Sequence, residues 1–160
     1  MKTGAITVRT LGSVVKMVRS AKAAGEKIVT TNGCFDILHV GHVRYLQGAR
    51  KLGSMLVVGI NSDASVRRLK GPGRPIVPAR ERAEIVSALR AVDAVFIFND
   101  ATPIRWLKQL KPHIHVKGAD RTVDQVVEKK VVEASGGRLV LVPYIKNKST
   151  TNIIKRIRKN

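Results

Sequence analysis

The sequence predicts an α/β fold, an open parallel sheet of five strands with helices on both faces. Five short apolar runs rich in β-branched residues recur along the chain, as strands do. Between them lie segments with apolar residues at helical spacing. Each segment is long enough for a right-handed crossover between parallel strands. The run Met55–Ile60 is apolar throughout, which is typical of a strand covered on both faces.

Local signals set the bounds of these elements. Thr10 is a plausible N-cap for a leading helix that ends near Gly25. Thr102-Pro103 combines an N-cap residue with a proline in the first turn, and Lys111-Pro112 ends that helix. The predicted strands cover residues 28–31, 55–60, 94–98, 113–116 and 138–142. The predicted helices cover residues 10–25, 62–69, 79–91, 102–111 and 122–134, with two more beginning near 42 and 149.

Length and composition are those of one globular domain spanning residues 1–160, with a leading helix within 1–25 and a C-terminal helix within 149–160. Hydrophobic residues make up 44%, enough for a core without disulfides or metal. The single cysteine cannot form an internal disulfide, so a reducing compartment is expected. Neither a signal peptide nor a membrane span is visible. We therefore expect a cytoplasmic protein that does not enter a membrane.

The chain is strongly basic, with 30 Lys and Arg against 11 Asp and Glu and a formal net charge of +19. Such an excess is compatible with binding to nucleic acid or to an anionic surface. The basic residues are spread along the chain rather than packed in one run, and aromatic residues that could stack on bases make up only 4%. We therefore expect no specific nucleic-acid partner and interpret most of the charge as solvated surface.

The stretch Gly33–His42, Gly-Cys-Phe-Asp-Ile-Leu-His-Val-Gly-His, lies between the first predicted strand and its helix. Free backbone N–H groups and the positive end of the helix dipole make such a turn an anion site. His39 and His42 are three residues apart and share one helix face, while Gly41 lets another atom approach the backbone. The pattern favours phosphoryl chemistry. The alternatives are a structural histidine pair or half of a metal site, although Cys34 is the only cysteine available.

Three further stretches carry polar residues near strand or helix ends. Lys117–Asp120 follows the fourth predicted strand, where open α/β sheets bind ligands. Ser149–Thr151 begins the last helix and is either a second anion site or a simple cap. His113 and His115 alternate with apolar residues, for which we favour a structural role. The dinucleotide pattern GxGxxG is absent, so the expected fold is Rossmann-like without the hydride-transfer fingerprint.

The loop 70–78 is rich in Pro and Gly and holds Lys70 and Arg74 after a strand and a short helix. Loops over a parallel sheet commonly carry function, so this one is a candidate flap over bound phosphates. The alternative is an ordinary solvated loop.

The stretch Gly33–His42 resembles the motif of the HxGH nucleotidyltransferases, which include glycerol-3-phosphate cytidylyltransferases. Asn32 before it and the segments 58–63, 116–120 and 149–154 resemble that family as well, so the resemblance covers roughly residues 27–157. Within the family the chain is most similar to the heptose-phosphate adenylyltransferases. The resemblance implies transfer of AMP from ATP to D-glycero-β-D-manno-heptose 1-phosphate, with release of pyrophosphate and formation of an ADP-heptose for a surface glycan.

The resemblance also assigns roles to residues, with Mg²⁺ accompanying ATP and no confident protein ligand for a metal. The catalytic residues it implies are His39, His42 and Lys70. The nucleotide-binding residues it implies are Asn32, Gly33, Cys34, Phe35, Gly41, His42, Arg82, Arg90, Lys117, Gly118, Asp120, Ser149, Thr150 and Thr151. The substrate-binding residues it implies are Asp36, Asn61 and Asp63.

Several alternatives stay open at this point. Cytidylyl transfer to glycerol 3-phosphate and adenylyl transfer to a flavin use the same chemistry. A basic nucleic-acid-binding module that has lost catalysis is the alternative from another class, and it leaves the histidine pair unexplained. The basic segment Lys146–Lys148 departs from relatives, which suggests a different mouth to the site. Bifunctional relatives carry a sugar kinase domain that is not seen here, so either a separate upstream kinase supplies the substrate, which we expect, or the sugar is different. We also expect a homo-oligomer.

Overall fold

The computed structural model describes residues 8–119, 122, 126–143, 145 and 148–159. It confirms the predicted architecture, a five-stranded parallel sheet with helices on both faces. The strands are β1 Ile28–Gly33, β2 Met55–Asn61, β3 Ala94–Phe98, β4 Ile114–Gly118 and β5 Arg138–Val142. The helices are α1 Leu11–Ala23, α2 Val40–Arg50, α3 Asp63–Lys70, α4 Ala79–Ser87, α5 Ile104–Leu110, α6 Lys129–Ala134 and α7 Thr150–Lys159.

The order of the strands across the sheet is β3-β2-β1-β4-β5. The chain leaves β1 toward β2 and β3, then crosses over and places β4 on the other side of β1. The carboxyl ends of β1 and β4 therefore flank the point where the strand order reverses. Open α/β sheets bind ligands in the crevice that such a reversal creates. The pair Thr31 and Val116 lies in register at this point, so the residues that follow them stand side by side.

The core has one layer on each face of the sheet, because successive strand residues point to opposite faces. In β1, Val29 packs into the layer under α2 and α4, and Ile28 packs into the layer under α1 and α5. Trp106 of α5 is fully buried, with its ring edge against Phe96 at a centroid distance of 5.2 Å. Burial of both faces explains the unbroken apolar run of β2, as the sequence predicted.

Several predicted bounds are confirmed by the hydrogen bonds that set them. Thr10 caps α1 by accepting a hydrogen bond from the Ser13 N–H, and Ser62 caps α3 through the Ser65 N–H. Lys111 ends α5 in the left-handed conformation. The fifth strand has the predicted bounds.

Other bounds differ, each for a local reason. The helix expected from Thr102 begins at Ile104, with Pro103 in the N-cap position. The helix expected to reach residue 91 ends at Ser87, whose hydroxyl donates a hydrogen bond to the Glu84 carbonyl oxygen. Single hydrogen-bonded turns connect this end to β3. Of the helix expected over residues 122–134, the described residues show Lys129–Ala134 as helix and residues 127 and 128 as a turn.

The fourth strand begins one residue later and ends two residues later than predicted, so it includes Lys117 and Gly118. His113 just before the strand accepts a hydrogen bond from the Ile28 N–H, and buried His115 within it bonds to the Thr30 hydroxyl. These contacts support the structural interpretation of both histidines. In the described ranges, no helix has the length and apolar character that crossing a membrane requires.

Candidate active site

A cleft of about 800 Å³ opens at the carboxyl edge of the sheet, the edge where the parallel strands end. Most residues predicted for the site line it. They are Asn32, Gly33, Cys34, Phe35, Asp36, His39, His42, Asn61, Lys70, Lys117, Gly118, Ser149, Thr150 and Thr151. Asp120 lies outside the described residues. Gly41 stands beside the cleft, while Asp63, Arg82 and Arg90 do not line it.

The turn between β1 and α2 is tightly packed. A Cβ on Gly33 would lie 2.9 Å from the ring of Phe35, and Phe35 itself adopts a left-handed conformation with φ 45°. Such a conformation is costly for a bulky residue and is found where a turn must hold a set geometry. The turn brings the Phe35 ring to a centroid distance of 5.2 Å from the His42 ring. Burial raises the pKa of the Cys34 thiol in this turn.

His39 and His42 form a stacked pair at the start of α2. Their ring centroids are 3.8 Å apart and their planes differ by 23°. His39 caps the helix, because its Nδ1 accepts a hydrogen bond from the Gly41 N–H at 3.1 Å. A neutral imidazole that accepts at Nδ1 carries its proton on Nε2, so His39 keeps one N–H donor for a ligand. A Cβ on Gly41 would lie 2.8 Å from the His39 ring, which explains the glycine between the histidines.

Both histidines are held in the neutral form near pH 7. Burial lowers the pKa of His42 to about 4, with a further contribution from His39, although Asp36 acts in the opposite direction. Burial and nearby Lys148 lower the pKa of His39 as well. The Nδ1 atom of His42 is buried without a hydrogen-bond partner among the described residues. Two neutral imidazoles at a helix start therefore form a site where an anion gains hydrogen bonds and dipole stabilisation.

We expect the buried histidine to make stability depend on pH in a defined direction. In the unfolded chain His42 takes up a proton near its ordinary pKa of 6.5, whereas in the folded protein it does so only near 4. The unfolded state binds more protons between these values, so the free energy of unfolding falls as the pH is lowered through this window.

Urea unfolding at about pH 7 and about pH 5 measures this effect, and a His42→Gln variant should lose less stability between the two conditions than the wild type. The buried His115 acts in the same direction in both proteins, so part of the dependence remains. An identical loss in the two proteins would show that His42 contributes nothing to it.

Asp36 anchors the loop that follows α3. Its carboxylate is fully buried and accepts hydrogen bonds from Arg74 Nε at 2.6 Å and from the backbone N–H groups of Ile76 and Val77, each at 2.9 Å. Burial opposes ionisation, but the bonds from Val77, Ile76 and Arg74 outweigh it and lower the pKa of Asp36. The carboxylate predicted to bind substrate is thus engaged by the protein itself. It holds the loop so that Lys70 and Arg74 line the cleft.

Loss of this anchor should release the loop. In an Asp36→Asn variant the amide loses the charge and one acceptor, so the loop donors are poorly satisfied. We expect faster trypsin cleavage after Lys70 and a decrease of about tenfold or more in kcat/KM. The matched control is Asp100→Asn, which removes an exposed ion pair of 3.6 Å to Arg105 and should change neither value. Unchanged cleavage in Asp36→Asn would show that the loop does not depend on this carboxylate.

Arg82 has a different place from the one predicted. Its guanidinium is fully buried and donates to the carbonyl oxygens of Cys34, Val77 and Asn61, the last at 2.9 Å, and to Asp63 Oδ1 at 2.8 Å. The arginine joins the turn after β1, the end of β2 and the loop before α4 from behind the cleft. These contacts hold the three segments together, and the contact of Arg82 with the nucleotide stays a prediction.

Two predictions are corrected. Asp63 was expected to bind substrate, but its Oδ1 accepts from Arg82 and from the Ala79 N–H, so the carboxylate faces α4 rather than the cleft. Arg90 was expected near the phosphates. It is exposed and follows α4 just before β3 begins, at the opposite edge of the sheet, because α4 runs away from the carboxyl edge. Arg90 lies eight positions after Arg82, and α4 extends over the first five of them, a rise of about 7.5 Å along the helix axis.

The start of α7 serves as a cap and as a wall of the cleft. Ser149 Oγ accepts from the Asn152 N–H at 3.1 Å, and Thr150 Oγ1 donates to the Ile37 carbonyl oxygen at 3.1 Å. The second bond fixes the tail to the stretch that carries the histidines. Lys148, which the sequence did not assign to the site, lines the cleft beside them. Two helix starts and a lysine thus converge on one end of the cleft.

At the junction of β1 and β4, Lys117 Nζ donates to Asn32 Oδ1 at 2.9 Å and pairs with Glu128 Oε1 at 2.7 Å. The Glu128 side chain is 6% exposed and lines the cleft. Sequence reasoning missed Glu128 because it lay inside a predicted helix. A carboxylate eleven positions after a cleft lysine was the available signal, but only the turn before α6 brings the two together.

Comparisons with known proteins agree with this geometry. The cytidylyltransferase-like family matches residues 30–156. The chain is 54% identical over 151 residues to the bifunctional protein HldE of Geotalea uraniireducens, and 53% identical over 150 residues to that of Geobacter metallireducens. Each alignment covers 94% of this chain and 31% of the relative, so the chain spans about a third of the length of these relatives.

A solved structure is similar as well. The lipopolysaccharide core biosynthesis protein of Thermoplasma volcanium is 30% identical, with a TM-score of 0.64 over 78% of this chain and 100% of that one.

Proposed function

The chain belongs to the cytidylyltransferase-like family, and we propose that it is a nucleotidyltransferase that joins AMP from ATP to D-glycero-β-D-manno-heptose 1-phosphate. The observation that carries the proposal is the stacked pair of neutral histidines at the start of α2, inside the cleft. The heptose acceptor follows from the resemblance to the heptose-phosphate adenylyltransferases and from the similarity to HldE proteins. The product would be an ADP-heptose for assembly of lipopolysaccharide or another surface glycan.

In the proposed reaction a phosphate oxygen of the sugar attacks the α-phosphorus of ATP. The new bond from that oxygen to phosphorus forms as the bond to the bridging oxygen of the β-phosphate breaks, and pyrophosphate leaves with the bonding electrons. Because the acceptor phosphate is already ionised, no protein nucleophile or base is needed. The protein has to align the two reactants and stabilise the charge that develops on the α-phosphoryl oxygens.

The two sides of the cleft suit the two reactants. We assign the α-phosphoryl group to His39 Nε2–H and the start of α2, and the β- and γ-phosphates to Lys148 and the start of α7, whose positive potential suits them. On the other side, Lys70 and Arg74 line the part of the cleft next to β2 and β3. We assign these two cations to the acceptor phosphate, because guanidinium and ammonium groups pair well with phosphate oxygens.

We propose that Mg²⁺ enters with ATP. The described residues contain no cluster of three His, Cys, Asp or Glu side chains that could hold a metal. Asp36 is engaged by the loop and Glu128 by Lys117. Mg²⁺ is commonly held through substrate phosphates and water, which fits a cleft whose carboxylates are already engaged. When bound, it would neutralise charge on the triphosphate.

Pyrophosphate release over a panel of nucleotides and acceptors tests the proposal. We expect turnover with ATP and heptose 1-phosphate, with a clear preference for ATP over CTP, since a site shaped for one base discriminates strongly against another. Glycerol 3-phosphate and FMN serve as the alternative acceptors. Equal or faster turnover with CTP would overturn the adenylyl assignment. Turnover only with glycerol 3-phosphate or FMN would replace the heptose.

A further inference from the structure

We propose that Glu128 and Lys117 read the amino edge of the nucleobase, which makes Glu128 a specificity residue that the sequence did not predict. The Glu128 carboxylate accepts a hydrogen bond from the exocyclic amine of the base, and the Lys117 ammonium donates to the ring nitrogen beside that amine. The inference rests on the proposed function, because it requires a nucleoside triphosphate in the cleft. The ligand class is a base with an amine next to an unprotonated ring nitrogen, as in adenine and cytosine.

Glu128 is buried and Lys117 is half-buried, and the hydrogen-bonding capacity of the pair is only partly used. Lys117 Nζ has three N–H donors and uses two, one toward Asn32 Oδ1 and one toward Glu128 Oε1. The Glu128 carboxylate has no other hydrogen-bond or ion-pair partner among the described residues, although the side chain is only 6% exposed. A buried carboxylate is costly unless both oxygens find donors. Glu128 lines the cleft, so its remaining acceptor capacity and the third Lys117 donor are available to a ligand there.

Topology places this pair where a base would lie. Asn32 is near the end of β1 and Lys117 near the end of β4, the two strands that flank the reversal of strand order. The crevice at such a reversal holds the ligand in open α/β sheets. The phosphates are assigned to the starts of α2 and α7, and the cations Lys70 and Arg74 occupy the opposite side of the cleft. The junction of β1 and β4 is therefore the part left for the base.

The arrangement of one acceptor beside one donor discriminates between bases. Adenine presents an N6 amine donor next to the N1 acceptor, and the pair complements both. Hypoxanthine presents an O6 acceptor next to an N1–H donor, which sets carbonyl oxygen against carboxylate and N–H against ammonium. The wrong base leaves buried charged groups unpaired, and such mismatches give large discrimination. An ion pair that only holds the segment before α6 to the sheet would not distinguish the two bases.

Binding of ATP and inosine triphosphate, measured by calorimetry without any acceptor, tests the proposal. The two nucleotides share the ribose and the phosphates and differ at the edge in question. We expect the wild type to bind ATP at least about tenfold more tightly. Glu128→Gln should reduce that ratio severalfold, because an amide can donate to O6. Glu133→Gln, an exposed carboxylate of α6, is the matched control and should keep the wild-type ratio.

The outcomes separate this inference from the proposed function. Equal binding of the two nucleotides by the wild type, or an equal loss of both in Glu128→Gln, would overturn it. Purine riboside triphosphate, which lacks the amine, should bind the wild type between the other two, so the test stands even where the variant does not fold. Tighter binding of ATP than of inosine triphosphate, without turnover of heptose 1-phosphate, would refute only the proposed acceptor. The role of Glu128 and Lys117 in recognising the base would still stand.

Discussion

Replacing His42 by alanine is expected to lower kcat by about a hundredfold or more, with a much smaller change in ATP affinity. A donor aimed at charge that develops in the transition state contributes little to the ground state, so its loss appears in kcat rather than in binding. Burial lowers the pKa of His42 to about 4. The same burial keeps water away from the hydrogen bond that we propose between His42 and the α-phosphoryl group, which strengthens that bond in the transition state. Steady-state kinetics with calorimetric ATP binding measure both quantities.

His39→Ala should give a similar loss of kcat, together with a small loss of stability. Its Nδ1 caps α2 through the Gly41 N–H, and the loss of a cap costs about 1 kcal/mol. His113→Gln is the control, since that histidine lies before β4 and its imidazole accepts a hydrogen bond from the Ile28 N–H, away from the cleft. Near-normal turnover in both His39→Ala and His42→Ala would remove the catalytic role of the pair.

The strands and most helix starts could be predicted because their causes are local. Apolar runs, a capping hydroxyl at Thr10 and the strand–turn–helix pattern around the two histidines all depend on neighbours in the sequence. The helix predicted over residues 122–134 is confirmed at Lys129–Ala134, whereas Glu128 just before it lies in a turn, is buried and lines the cleft, a tertiary effect that periodicity does not contain.

The roles of charged residues were harder to predict for the same reason. The hydrogen-bond partners of Asp36 lie about forty positions later in the chain. Glu128 pairs with Lys117 from a turn, at a position where the sequence predicts a helix. A sequence motif identifies which carboxylates and cations lie near the site, but it cannot tell whether each one faces the ligand or another part of the protein. Asp36 and Arg82 are engaged by other parts of the protein, although Asp36 lines the cleft, whereas Lys70 and Lys117 line the cleft as cations.

Arg82 and Arg90 test whether a charged residue faces the ligand or another part of the protein, because the sequence assigned both arginines to the nucleotide. Arg82→Met should lower the free energy of unfolding by about 3 kcal/mol or more, since it takes the guanidinium donor from three carbonyl oxygens and the ion pair from Asp63, which keeps the Ala79 N–H. Arg90→Met should change it by less than about 0.5 kcal/mol, as exposed substitutions usually do.

Chemical denaturation and ATP calorimetry on the two variants decide between the roles. If Arg82 holds the turn after β1 against the end of β2, its loss should displace that turn and the two histidines that follow it. In that case kcat falls together with the free energy of unfolding, and a stabilising osmolyte partly restores kcat. An Arg82→Met protein that has normal stability but no longer binds ATP would instead show that Arg82 contacts the nucleotide directly. Arg90→Met should keep wild-type kcat and ATP affinity, because Arg90 follows α4 just before β3 begins, at the edge of the sheet opposite the cleft.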